Sequence, residues 1–304
     1  MSTDWDCADL LVMSVIIFYN GDMYRFCIPF ICFAMFVPAS LGAETNQKSP
    51  FFALCMDTHD EKKRSIEEQN EMLRDLGFDG VAHLWLNGLS ERAASAKKTG
   101  LKIFQIYIQV NLAANVPFDS QLAEKLTPVK GQGVQLALLI EGAPPSDASF
   151  DDKVVAILQK MLDITEPLGV GIVLYPHLNS WNEKVADCVR IAKRFPDKKV
   201  GVMFNLCHWA AVDKSENLES VLRSALPYLS AITINGTDTP EEIQAKTGNW
   251  LQPLDAGSFD QATLFKILDD LGYCGPVGLQ CYGIPGDARI HLERSMKRWK
   301  SLRP

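Results

Sequence analysis

The side chains able to move a proton in this chain gather where apolar runs end. Glu141 closes the run 134–141. His177 follows the run 170–175 within Tyr175-Pro176-His177-Leu178-Asn179-Ser180-Trp181, and His208 lies in Asn205-Leu206-Cys207-His208-Trp209. A neutral imidazole can accept or share a proton near pH 7, and a carboxylate beside it adds a second acid/base group. Four of the 5 histidines (59, 83, 177 and 208) occupy such run-end positions. The amides Gln109, Asn205, Asn235 and Gln280 and the rings Trp85 and Tyr175 do too. Amides both donate and accept, which suits hydroxyl groups, and aromatic faces cover the apolar face of a sugar ring. A lone histidine is as readily a loop residue or a helix cap. His177 and His208 on adjacent segments point to chemistry. The candidate catalytic residues are therefore Glu141, His177 and His208, and the candidate substrate-binding residues are Trp85, Gln109, Tyr175, Asn205, Asn235 and Gln280. Asp57 and Asp238 are outer candidates.

The elements that must position them are short apolar strands alternating with amphipathic helices. Eight runs, at 51–56, 80–85, 101–110, 134–141, 170–175, 200–206, 229–235 and 277–282, are near-continuously apolar and bounded by Gly or Pro. Parallel strands buried on both faces read this way. Between them, Val154, Ile157, Leu158, Met161, Leu162 and Thr165 form a helical stripe. Val185, Cys188, Val189, Ala192 and Phe195 form another, and Leu264, Ile267, Leu268 and Leu271 a third. Gly77, Gly100, Gly133, Gly169 and Gly272 precede strands where a helix end wants φ > 0. Eight βα units from residue 51 to 304 match a single (β/α)8 TIM barrel. The competing open doubly wound sheet lacks a G-x-G-x-x-G after its first strand. In a barrel, the run-end residues share the C-terminal mouth, where ligands bind.

Residues 1–43 read differently. Arg25 precedes the apolar run 26–37, followed by Pro38 and the small residues Ala39, Ser40, Gly42 and Ala43: a cleavable signal peptide by its order, and too short to span a bilayer. Residues 1–22 carry Asp4, Asp6, Asp9 and Asp22, the wrong sign for a signal's start, so Met23 is expected to be the true first residue. The expected product is exported, periplasmic or secreted, with the barrel over 51–304 and no stable membrane anchor. The five cysteines beyond residue 43 form no zinc or disulfide pattern, and most read as small buried hydrophobes. The whole chain of 304 residues is 47% hydrophobic and 22% charged with net charge −7. That excludes a disordered chain and argues against nucleic acid as a partner, which requires a basic face.

Four strand-end strings carry a resemblance: Leu174-Tyr175-Pro176-His177, Asn205-Leu206-Cys207-His208, Asn235-Gly236-Thr237-Asp238 and Gly278-Leu279-Gln280. With Pro253-Leu254, Gly257, Gly272-Tyr273 and Gly275 leading into the last strand, the chain resembles the sugar isomerase/epimerase family with a xylose-isomerase-like barrel. That family shows L-E-x-H, D-x-x-H, H-x-x-D and G-x-x-x-E at the same places. The resemblance implies a small-molecule carbohydrate ligand at the mouth. It also implies a divalent cation held by Glu, Asp, His and Glu, where this chain has Tyr175, Asn205, Asn235 and Gln280. Exchanging anionic ligands for neutral ones removes what a hard cation needs, so the family's usual metal is not expected here.

Several readings stay open on sequence grounds. Glu141, His177 and His208 could run metal-free general acid/base chemistry, as an isomerase, an epimerase or a lyase acting on a sugar or oxidised sugar. The same three could form a shifted His2Glu metal site of the kind that suits zinc. Loss of the carboxylates equally suits a non-catalytic carbohydrate-binding barrel. An abasic-site endonuclease would need a multi-metal cluster and a basic groove, and neither is legible.

Overall fold

The computed structural model describes residues 14–19, 22–27 and 49–303. The chain divides into two units, Met1–Asn46 and Gln47–Pro304. In the first, Ser14–Tyr19 and Asp22–Cys27 pair as an antiparallel hairpin. Residues 28–48, which hold most of the expected export signal, lie outside the described residues.

The second unit is the expected barrel. Its strands are β1 (Phe51–Leu54), β2 (Gly80–Leu84), β3 (Lys102–Asn111), β4 (Gln135–Glu141), β5 (Gly171–Leu174), β6 (Val200–Asn205), β7 (Leu229–Ile234) and β8 (Val277–Gln280). Each pairs in parallel with its sequence neighbour, and β8 closes the ring on β1 from Val277 opposite Phe51 to Gln280 opposite Leu54. All eight apolar runs became strands, each trimmed by one or two residues at one or both ends, the third also reaching Asn111.

Alternate strand residues face opposite sides, so the barrel has two apolar cores. Phe52, Leu54, Phe104, Tyr107, Val173, Tyr175 and Met203 fill the interior. Phe51, Val81, Ile106, Leu136, Ile172 and Val202 pack outward against the helices. Interior space is shared unequally at the floor: a Cβ on Gly278 would lie 2.7 Å from the Phe52 ring. That glycine lets the large ring plug the base and leaves the top open.

The helices arise from the expected stripes. Val154, Ile157, Leu158, Met161, Leu162 and Thr165 are all buried on Asp151–Thr165. Helix Ile66–Leu76 starts in a capping box between Ser65 and Glu68 and ends at Gly77 with φ 85°. Among the described residues, no helix is long and apolar enough to cross a membrane. Cys55, Cys188, Cys207 and Cys281 are buried free thiols, and Cys274 is exposed.

Candidate functional site

A cavity of about 350 Å³ opens at the C-terminal ends of the strands, within the size range of small-molecule sites. Seven of the nine candidate residues line it: Trp85, Gln109, Glu141, Tyr175, His177, His208 and Gln280. Leu54, Cys55, Tyr107, Leu139 and Cys207 form deeper wall, and Leu178, Asn179, Trp250, Leu251 and Tyr282 come from the loops above.

The two histidine rings sit tilted at 45° to one another with centroids 4.0 Å apart. The backbone of one residue, Leu178, sets both. His177 Nδ1 lies 2.9 Å from the Leu178 carbonyl, while the Leu178 N–H donates to His208 Nδ1 at 3.4 Å. A carbonyl can only accept and an amide N–H can only donate. His177 therefore carries its proton on Nδ1 and leaves an Nε2 lone pair. His208 is the opposite tautomer, with its proton on Nε2. Burial pushes the His177 imidazole below its ordinary pKa, against smaller raising effects from Leu178 and Glu141. Burial, then the neighbouring His177, pushes His208 down further. Both are neutral near pH 7, one a proton acceptor and the other an N–H donor. Beside them, Gln109 Nε2 donates to Glu141 at 3.3 Å.

Tyr175 stands at the centre of the floor, its ring edge-on to Tyr107 at 4.9 Å and 5.7 Å from each histidine ring. Its hydroxyl oxygen accepts from Asn205 Nδ2 at 2.8 Å and Gln280 Nε2 at 3.3 Å. Burial holds the phenol well above its ordinary pKa, so it keeps its proton.

The backbone is strained around this mouth. Cys55 (φ 57°), Trp85 (φ 66°) and Asn179 (φ 65°) all take left-handed conformations and all line the cavity. Such strain in a bulky residue costs roughly 1–3 kcal/mol and concentrates at functional sites. The Trp85 N–H is anchored to the Tyr107 carbonyl at 2.9 Å, which keeps the half-exposed indole at the rim.

Two candidate binding residues do not reach the cavity. Asn205 is buried and accepts the His208 N–H at 3.3 Å, capping helix Leu206–Val212. Asn235 is also buried and donates to the carbonyls of Gly236 at 2.6 Å and Trp250 at 2.7 Å. Both position other site residues because interior strand-end amides are enclosed by their own loops. The outer candidates also have structural partners: Asp238 takes the N–H groups of Asn249 and Ser258 at 2.7 and 2.9 Å. His83 faces Asn87 and Arg92, and His59 packs edge-on against Tyr282 at 5.3 Å; neither ring lines the cavity, and nor does Asp57.

Trp250 was not legible as a site residue. It arrives from a loop far past β7, folded back by pairing between Gly236 and Gln252. Tyr107 was legible only as part of a strand run. Its inward facing follows from strand alternation once the closure of the barrel is known.

The strand-end residues do not fit a divalent cation. Asn205 and Gln280 turn their amide nitrogens towards Tyr175 and spend their oxygens on the N–H groups of His208 and Tyr282. Asn235 turns its amide nitrogen to two carbonyls. Hard cations need converging oxygen donors. The shifted His2Glu site is not formed either: among the described residues, no group of three or more His, Cys, Asp and Glu side chains is placed to hold a metal ion.

A closed parallel barrel with a cavity at its C-terminal mouth defines a TIM-barrel protein. The chain belongs to the xylose isomerase-like TIM barrel family, whose profile matches residues 70–301. No curated protein matches it by sequence. Among solved structures, 3-keto-D-glucoside 4-epimerase from E. coli is similar over 84% of this chain and 100% of its own, with 17% identity and a TM-score of 0.65. D-allulose 3-epimerase from Methylomonas sp. is similar over 84% and 98%, with 12% identity and a TM-score of 0.66. A family 2 AP endonuclease from Brucella melitensis is similar over 80% and 96%, with 17% identity and a TM-score of 0.61. At these identities the likeness is one of fold.

Proposed function

We propose that the protein is a sugar isomerase- or epimerase-type enzyme that removes a proton from the carbon beside a carbonyl, without a divalent cation at the strand ends. The observation that carries this reading is the Leu178 backbone, whose carbonyl and N–H give His177 and His208 opposite tautomers. His177 Nε2 takes the carbon-bound proton as the electron pair of that C–H bond moves towards the carbonyl oxygen. His208 Nε2–H hydrogen-bonds that oxygen as negative charge develops on it, without giving up its proton. A neutral imidazole N–H is a suitable electrophile because it needs no prior protonation. In an isomerisation the proton on His177 is then delivered to the former carbonyl carbon, while the hydroxyl proton of the neighbouring oxygen passes to the oxyanion. In an epimerisation a proton is returned to the original carbon from its opposite face. In either case one carbon-bound proton leaves and one comes back. Glu141 beside Gln109 holds a sugar hydroxyl or favours the protonated state of His177. The barrel's membership of this family, and its likeness to sugar epimerases in fold, support a sugar as the substrate class.

The test is deuterium exchange in D2O followed by NMR, with methyl 3-keto-β-D-glucopyranoside and D-allulose as probes. Wild type is expected to label the carbon next to the carbonyl, and His177→Ala to lose about 100-fold or more in rate. Binding without any exchange would replace the enzyme reading with a carbohydrate-binding barrel. We also propose that residues 24–43 direct export. N-terminal sequencing of the mature protein should begin near Glu44, and an intact Met1 or Met23 would refute this.

A further inference from the structure

Tyr175 does more at this site than cover a sugar face. Its hydroxyl oxygen is already filled on the acceptor side by Asn205 Nδ2 at 2.8 Å and Gln280 Nε2 at 3.3 Å. The direction of both amides is forced. Asn205 Oδ1 accepts the His208 N–H at 3.3 Å and the Cys207 thiol at 3.0 Å, and Gln280 Oε1 accepts the Tyr282 N–H at 3.0 Å. Because a backbone N–H cannot accept, each amide oxygen must face its backbone donor and each NH2 must face the phenol. Tyr175 is thus left with one proton, for which no acceptor is present among the described residues, and its side chain faces the cavity. Two donors on its oxygen polarise the O–H bond and strengthen it as a donor. Leu54, Leu139 and the Tyr107 ring keep the surroundings apolar, which raises the worth of a hydrogen bond made there.

We propose that the Tyr175 hydroxyl donates a hydrogen bond to the carbonyl oxygen of an uncharged keto sugar, forming with His208 Nε2–H a two-donor oxyanion site. This rests on the proton-abstraction reading above and deepens it. The proton stays on Tyr175 throughout. As His177 takes the carbon-bound proton, the C–H electron pair forms the enolate double bond, and the carbonyl π pair becomes the oxyanion that both donors face. The walls also select charge. Among the described residues lining the cavity there is no lysine or arginine, and Glu141 is the one carboxylate. A phosphorylated or carboxylated sugar would find no counter-charge and a repelling neighbour. A neutral ketone finds a donor already aimed.

The experiment compares wild type, Tyr175→Phe and His177→Ala with 13C-carbonyl methyl 3-keto-β-D-glucopyranoside. Two readouts are taken: the infrared carbonyl stretch of the bound sugar and the rate of deuterium exchange. The stretch should fall to lower frequency on wild type and on His177→Ala, and return towards its free value on Tyr175→Phe. Exchange should drop about 100–1000-fold in Tyr175→Phe, the cost of one oxyanion donor. A merely structural tyrosine would not move the carbonyl frequency. Measurable binding of the methyl glucoside without the keto group by Tyr175→Phe, at whatever affinity, shows that the pocket survives. The proposal is overturned if Tyr175→Phe keeps the lowered stretch or the wild-type exchange rate, or if wild type fails to bind the keto sugar. Unimpaired exchange in His177→Ala would sink the base assignment alone, since the stretch still reports on Tyr175.

Discussion

Asn182 is the residue whose loss should test the architecture of the site most directly. It is fully buried, and its amide is wedged where β4 and β5 separate. Oδ1 accepts the Ile140 N–H at 3.0 Å, and Nδ2 donates to the Tyr175 carbonyl at 2.9 Å and the Leu138 carbonyl at 3.2 Å. The Leu138 carbonyl has a second donor in the Tyr175 N–H at 3.1 Å, so it would remain satisfied. Asn182→Ala therefore orphans two backbone groups, Ile140 N–H and Tyr175 C=O. A buried unsatisfied polar group costs roughly 1–3 kcal/mol, so the variant should lose about 2–6 kcal/mol. In a domain of this size that lowers Tm by roughly 10 °C, taking a mid-range loss at 2–4 °C per kcal/mol. Thermal unfolding followed by circular dichroism measures it. The His177 N–H also bonds the Asn182 carbonyl at 3.3 Å, so sugar exchange should fall with stability. Asn182→Asp should be as damaging, because it keeps the acceptor and loses the donor. An unchanged Tm in Asn182→Ala would mean that the two strands re-pair directly, and the wedge argument would be refuted.

Three further outcomes follow from the site and the loop above it. His177 works as a base only when neutral, so exchange should rise with pH through a pKa below that of a free imidazole and then level off. Glu141→Gln removes a charge that raises that pKa, so the acid limb of the pH–rate profile should move to lower pH; a shift upward would contradict the assignment. Gly257 has φ 95°, and a Cβ there would lie 2.1 Å from the Thr237 carbonyl oxygen. Gly257→Ala should cost at least about 2 kcal/mol in urea unfolding and displace the loop bearing Trp250. Wild-type stability in that variant would show that the loop is not pinned there.

Local patterning made the barrel legible. Buried parallel strands must be apolar on both faces, and helices between them must carry one apolar stripe, so the sequence spells each element in its own residues. His177, His208 and Glu141 could be found because a barrel sends strand ends to one mouth. The family resemblance drew attention to Tyr175, Asn205, Asn235 and Gln280 as exchanged positions, but it could not say where their side chains turn.

What only the tertiary structure decided depends on direction and on distant contacts. The opposite tautomers of His177 and His208 come from the N–H and the carbonyl of one residue, Leu178, and orientation is not encoded by residue type. Asn205 and Asn235 read as ligand contacts and became props, since an amide's role depends on which backbone groups surround it. Trp250 joins the site from a loop whose return is fixed by the pairing of Gly236 with Gln252, a contact that local propensity does not announce. The sequence determined the barrel and the side chains offered at its mouth. Packing determined which of them point inward, and with which proton.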